Sequence, residues 1–145
     1  MGLDMYLRAN RTMWDVKEEQ QEDFIKLFPD IPQGVTIDSI KIEVGYWRKS
    51  NQIHRWFVTN VQQEVDDCGY YIVDRHDLTE LKNLCTRVLE DHALASELLP
   101  TTSGFFFGNT EYEKWYYDEL AHTVDILDKA LGLSPHWEFE YHSSW

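Results

Sequence analysis

Leu3, Met5 and Leu7 alternate with Asp4, Tyr6 and Arg8, the period of two of a half-buried strand, and predict a strand over residues 3–10. Residues 16–28 are rich in Glu and Gln, with Phe24, Ile25, Leu27 and Phe28 late; they predict a short helix ended by Pro29 and Pro32. From Ile40 apolar and charged residues alternate again, giving a second strand over 40–47. Ile53, Trp56, Phe57 and Val61 then fall on one helical face, so a helix capped by Ser50 or Asn51 runs to about residue 62. Tyr70–Val73 reads as a short strand.

The second half is mainly helical. Asp77 to Glu80 forms a capping box, and Leu78, Leu81, Leu84, Cys85, Val88 and Leu89 make the stripe of a helix over 77–91. A short helical piece spans 93–99. Thr110 to Glu113 is a second capping box, and a helix over 110–131 carries Tyr116, Leu120, Val124, Leu127 and Leu131 before Gly132 and Pro135 end it. Trp137, Phe139 and Tyr141 alternate with charged residues and His142 in a last strand. The expectation is one α+β domain over residues 1–145, with the N- and C-terminal strands neighbours in a small antiparallel sheet packed by three to five helices.

Composition supports a folded domain: 145 residues, 43% apolar and 14% aromatic, with six Trp. No run reaches the ~20 apolar residues of a membrane span. The first residues lack the pattern of a signal peptide, and Tyr6 stands where a myristoylation motif needs Ser or Thr. Two cysteines, Cys68 and Cys85, form no disulfide framework, so the cytoplasm is the expected compartment. Net charge is −13, divided unevenly: residues 1–63 carry −1 and residues 64–145 carry −12. That balance disfavours direct binding to nucleic acid and suits a partner with a basic surface.

Candidate chemistry is densest in Gly45–Phe57. Tyr46, Trp47, Arg48, Lys49, Asn51, His54 and Trp56 combine cations, amides and stacking rings near a predicted helix N-terminus, where an anion is favoured. Gly104–Gly108, with Phe106 at its centre, leads to Tyr112 and Trp115 at the next helix, and the two segments together are the candidate site for a nucleotide-like small molecule. His54 is the natural proton-transfer group of that site, but no catalytic residue is assigned. The histidines show no HxxxH spacing and there is no CxxC, so neither metal nor cofactor is expected, short of a site built through the fold from His54, Asp66 and Asp67. Cys68 follows two aspartates, which oppose thiolate formation.

Five segments, Met1–Leu7, Gly45–Phe57, Asp66–Gly69, Gly104–Gly108 and Tyr141–Trp145, resemble a family of small uncharacterised bacteriophage and prophage proteins along essentially the whole chain. Some members carry the label phosphoglycerate kinase. This chain is too short for two doubly wound nucleotide-binding domains and has no glycine-rich strand-to-helix phosphate loop. The resemblance implies a phage accessory protein, and by analogy an inhibitor of a host defence protein that acts by binding rather than catalysis. Its expected contact surface is acidic: Glu111, Asp118, Asp125 and Asp128 recur on roughly one side of the last helix. The alternative is a protein that sequesters or hydrolyses a nucleotide-like molecule.

Overall fold

The computed structural model describes residues 2–145. Four strands, β1 (Asp4–Thr12), β2 (Ser39–Arg48), β3 (Tyr70–Val73) and β4 (Glu138–Ser144), form one antiparallel sheet in the order β2-β1-β4-β3. The terminal strands are therefore central neighbours, with Leu7 opposite Tyr141 and Ala9 opposite Phe139. Between them lie five helices: α1 (Glu18–Ile25), α2 (Asn51–Asn60), α3 (Arg75–Glu90), α4 (Ala95–Leu98) and α5 (Lys114–Leu131). No helix among the described residues is long and apolar enough to cross a membrane.

One face of the sheet forms the core. Met5, Leu7, Ala9, Trp47, Phe139 and Tyr141 point into it and meet buried residues of α2, α3 and α5, including Phe57, Leu81 and Leu120. Burying each large apolar side chain contributes roughly 1.5–3 kcal/mol, which explains why period-two strands and helical stripes converge on this layer. The Phe57 and Tyr141 rings stack with centroids 3.9 Å apart. Cys85 lies in the core as expected, and burial pushes its thiol pKa up to about 12. The opposite sheet face is open and carries Tyr46, Tyr6, His142 and Tyr70 as one row across all four strands; Tyr70 and His142 stack at 4.0 Å.

Strand β2 departs from its sequence pattern. The register with β1 shifts between Leu7 and Arg8, so that Gly45 pairs with Leu7 and Glu43 with Arg8. The extra residue, Val44, is a bulge that reverses the alternation. Gly45 and Trp47 consequently face the core and Tyr46 faces outward. Gly45 must lack a side chain, because a Cβ there would collide with Ile126 of α5.

Helix ends also differ from the capping-box expectation. α3 starts at Arg75 behind Asp74, and α5 starts at Lys114 behind Glu113; neither cap makes a side-chain hydrogen bond. The second of these boxes is instead extended chain, because Thr110 closes a loop: its carbonyl accepts from Thr101 Oγ1 at 2.9 Å. The predicted helix over 16–28 shortens to α1, which buries no residue. Phe24, Leu27 and Phe28 remain exposed, since the 13–38 connection projects from the Thr12–Ser39 end of the β1–β2 hairpin, away from the core.

Candidate functional site

The other end of that hairpin, where Asp4 pairs with Arg48, borders a cavity of about 640 Å³. Tyr46, Trp47, Arg48 and Lys49 form one wall, Gly108 and Asn109 a second, and Trp115, Glu119 and His122 of α5 the third. Its size lies within the usual range for small-molecule sites. Parts of the two segments that the sequence joins in one candidate site thus meet, and they do so because of what lies behind them.

Asn51 is the fastener. Its side chain is fully buried; Nδ2 donates to the carbonyls of Phe107 and Asn109 at 3.0 and 2.9 Å, and Oδ1 accepts from Thr102 N at 3.0 Å. These three bonds fix the 102–109 loop against the start of α2. The loop is also tied to β1, since Leu3 N donates to Phe106 O at 3.0 Å. Lys49 N donates to Leu3 O at 2.7 Å, and Lys49 adopts φ 57°, a left-handed conformation that a non-glycine residue rarely takes. Gly108 has φ 84° and lies so close to Lys49 that an added Cβ would sit 3.0 Å from Lys49 Cβ. Strain of this kind costs of order 1–3 kcal/mol and persists where surrounding contacts enforce it.

His54 is fixed in the same layer. Its Nε2 donates to Asp66 at 3.0 Å, and its Nδ1 accepts the Tyr141 hydroxyl at 2.6 Å, the tautomer that satisfies both partners. Trp145 Nε1 donates to the second oxygen of Asp66 at 3.1 Å. Burial lowers the His54 pKa despite the opposing pull of Asp66, and burial raises that of Tyr141 well above the usual phenol value. With both ring nitrogens engaged, His54 has none left for a metal or a substrate proton. Asp67 turns elsewhere, accepting from Tyr71 Oη and Gly69 N. No cluster of potential metal ligands occurs among the described residues.

Of the residues expected in a ligand site, Tyr46, Trp47, Arg48, Lys49 and Trp115 line the cavity, and Asn51, His54, Trp56, Phe106 and Tyr112 do not. Trp47 is buried and its Nε1 donates to Thr123 at 2.9 Å, so it serves as floor rather than stacking surface. Trp56 lies in the core beside a separate small cleft. Phe106 holds Leu3, just before β1, through its carbonyl, and Tyr112 meets Tyr116 edge-to-face at 5.0 Å while its hydroxyl accepts from Thr101 N. The N-terminus of α2, expected to receive an anion, is buried beneath the 102–109 loop, with Ser50, Asn51 and Gln52 all inaccessible.

Sequence reading missed Glu119 and His122. The Glu119 carboxyl has its pKa raised by burial, against the opposing influence of His122 and Ser50. The Ser50 hydroxyl lies against the Glu119 carboxyl, and neither Ser50 Oγ nor Glu119 Oε2, both buried, meets a further hydrogen-bond partner among the described residues. His122 Nε2 donates to the Tyr46 carbonyl on the edge of β2 at 2.9 Å. The signal was present: Trp115, Glu119 and His122 are spaced by four and three on one helical stripe. Arg48 is partly committed, donating to Asp4 at 3.0 Å, and Asp4 also accepts from Tyr46. Lys49 makes no ion pair among the described residues.

The acidic face is less charged than its sequence implies. Asp118 pairs with Lys114 at 2.5 Å, Asp125 with Lys129 at 2.8 Å, and Asp128 with Lys82 across to α3. Glu111 precedes the helix, where its N–H donates to Asn109 Oδ1 at 2.7 Å. Comparison with protein-family models, curated proteins and solved structures finds no match for this chain.

Proposed function

We propose that this protein binds a small planar molecule bearing an anionic group, of the size and type of a nucleoside monophosphate, in the cavity between β2, the 102–109 loop and α5. The observation that carries this reading is the opposition of walls: Lys49 and Arg48 on one side, and on the other the Glu119 carboxyl beside the half-buried Trp115 ring. An anion is held by the cations. A base or similar ring stacks on Trp115, where stacking is worth roughly 1–3 kcal/mol, and offers an N–H to Glu119. His54 takes no part, because its bonds to Tyr141 and Asp66 seal it from the cavity, whereas His122 stands on the cavity wall. Such a protein withholds its ligand, which fits an accessory role in an infected cell. We place that role in the cytoplasm, where the free thiols of Cys68 and Cys85 are at home.

A thermal-shift series tests this with each of the four nucleoside monophosphates, the matching nucleosides, and inorganic phosphate. A ligand at about 100 times its Kd stabilises the folded state by about 2.7 kcal/mol. At least one monophosphate is expected to raise Tm where nucleoside and phosphate alone do not, and Lys49→Ala or Trp115→Ala to remove the shift while leaving the unliganded Tm close to that of the wild type. No shift with any monophosphate, or a shift indifferent to both substitutions, contradicts the reading.

A second reading is inhibition of a host protein through an acidic surface. The −12 charge of residues 64–145 favours it. The lysines paired with Asp118, Asp125 and Asp128 weaken α5 as that surface.

A further inference from the structure

The 13–38 connection concentrates features that the cavity does not use. It holds seven acidic and two basic residues, whereas residues 1–12 and 39–63 together hold two acidic and six basic. One of its two lysines, Lys26, is paired internally with Asp23. It also exposes Trp14 (82%), Leu27 (68%), Val35 (49%) and Phe28 (47%), four large apolar side chains within 22 positions. α1 and the following turns enclose a groove of about 560 Å³ with Ile25, Ile31, Pro32 and Val35 in its lining and Glu18 and Glu22 at its edge. The arm holds its own shape: Gln21 Nε2 donates to the carbonyls of Met13 and Val16 at 2.9 and 3.1 Å, and Met13 N donates to Asp38 O at 2.9 Å. Val35 is both exposed and part of the groove, whereas Trp14, Leu27 and Phe28 lie outside its lining on the same arm; exposed apolar surface around a preformed groove that carries Glu18 and Glu22 marks an interaction site.

We propose that the arm is a docking surface for an amphipathic helix of a protein partner, apolar along one stripe and flanked by lysine or arginine. The charge of the arm selects this occupant. Nucleic acid and anionic membrane surfaces are repelled, and two copies of the arm facing each other repel as well. A helix laid into a groove places its apolar stripe between Ile25 and Val35 and its flanking cations against Glu18 and Glu22, the helix-in-groove mode of recognition. The inference is independent of the ligand cavity, which lies at the other end of the β1–β2 hairpin.

The test uses the full chain, ¹⁵N-labelled, and two synthetic peptides of about 18 residues, or five helical turns. Both contain the same leucines and lysines, one in amphipathic order and one scrambled. The amphipathic peptide is expected to bind roughly tenfold more tightly, with chemical-shift changes confined to residues 14–36. Ile31→Ser combined with Val35→Ser should cost about tenfold in affinity, and Asp118→Asn combined with Asp125→Asn under about twofold. Equal binding of both peptides would reduce the effect to net charge and overturn the proposal. So would shifts centred on α3 or α5, absence of binding, or concentration-dependent loss of the arm signals without peptide, which would make the occupant a second copy.

Discussion

The two ends of the β1–β2 hairpin, roughly 27 Å apart along the strand, solve opposite problems. At the Asp4–Arg48 end buried side chains hold the backbone in place: Asn51 fastens a loop, His54 links α2 to β4 and Asp66, and Lys49 is forced into a left-handed turn. At the Thr12–Ser39 end a helix buries nothing and large apolar side chains face water. A shaped small-molecule site needs its walls fixed to fractions of an ångström, and that rigidity comes from buried hydrogen bonds that are costly to break. A docking surface needs exposed apolar area and charge, and it gains its remaining order from the partner. One hairpin can join two such ends because it transmits position without requiring that they have equal stability.

The largest expected effect is at the fixed end. Asn51→Ala removes three hydrogen bonds and strands two carbonyls and an N–H, so it should destabilise by about 3 kcal/mol in urea unfolding. Leu27→Ala on the arm should change stability by no more than about 0.5 kcal/mol. Similar costs for the two would erase the contrast. Gly45→Ala comes next, at about 1–3 kcal/mol, because Ile126 must move to admit the methyl group.

Acid should act on the fixed end as well. His54 is held neutral, with a folded pKa below its ordinary 6.5. The unfolded chain therefore takes up the proton first. Stability from this source is complete above about pH 6.5 and is lost as pH falls through the lowered folded value. Urea midpoints measured downward from pH 7.5 should decline in this window for the wild type and decline less for His54→Gln.

A smaller effect is more informative. Lys49→Gly relieves the left-handed strain and should leave stability unchanged or improve it by up to about 1 kcal/mol, while abolishing anion binding. Calorimetry with the monophosphate that shifts Tm separates the two outcomes. Loss of both stability and binding would show that the Lys49 side chain is structural.

Much of the fold was legible because burial imposes simple periods: Leu3, Met5 and Leu7 announced β1, and the stripe from Leu78 to Leu89 announced α3. The phase of β2 was hidden by the bulge at Val44, since one unpaired residue reverses every later side chain, and Tyr46 and Trp47 exchanged faces as a result. The cavity was half legible. Residues 46–49 and Trp115 stood out by composition, but the fastening roles of Asn51 and His54 depend on partners 51 to 87 positions away. Glu119 was concealed among surface carboxylates because its spacing from Trp115 and His122 marks a shared helical face but does not show that this face lines a cavity. The helix of the arm was legible in shortened form, but its exposure was not: only the tertiary structure shows that no core reaches Phe24, Leu27 and Phe28.

The six tryptophans allow both ends to be read in one spectrum. A titration of ¹⁵N-labelled protein with nucleoside monophosphate, followed through the indole N–H signals, reports Trp115 in the cavity, Trp47 beneath it and Trp14 on the arm. The account predicts a saturable shift of Trp115, a smaller one of Trp47 and none of Trp14, all abolished by Lys49→Ala. Saturable binding that leaves Trp115 unmoved, or that moves Trp14 instead, would contradict it.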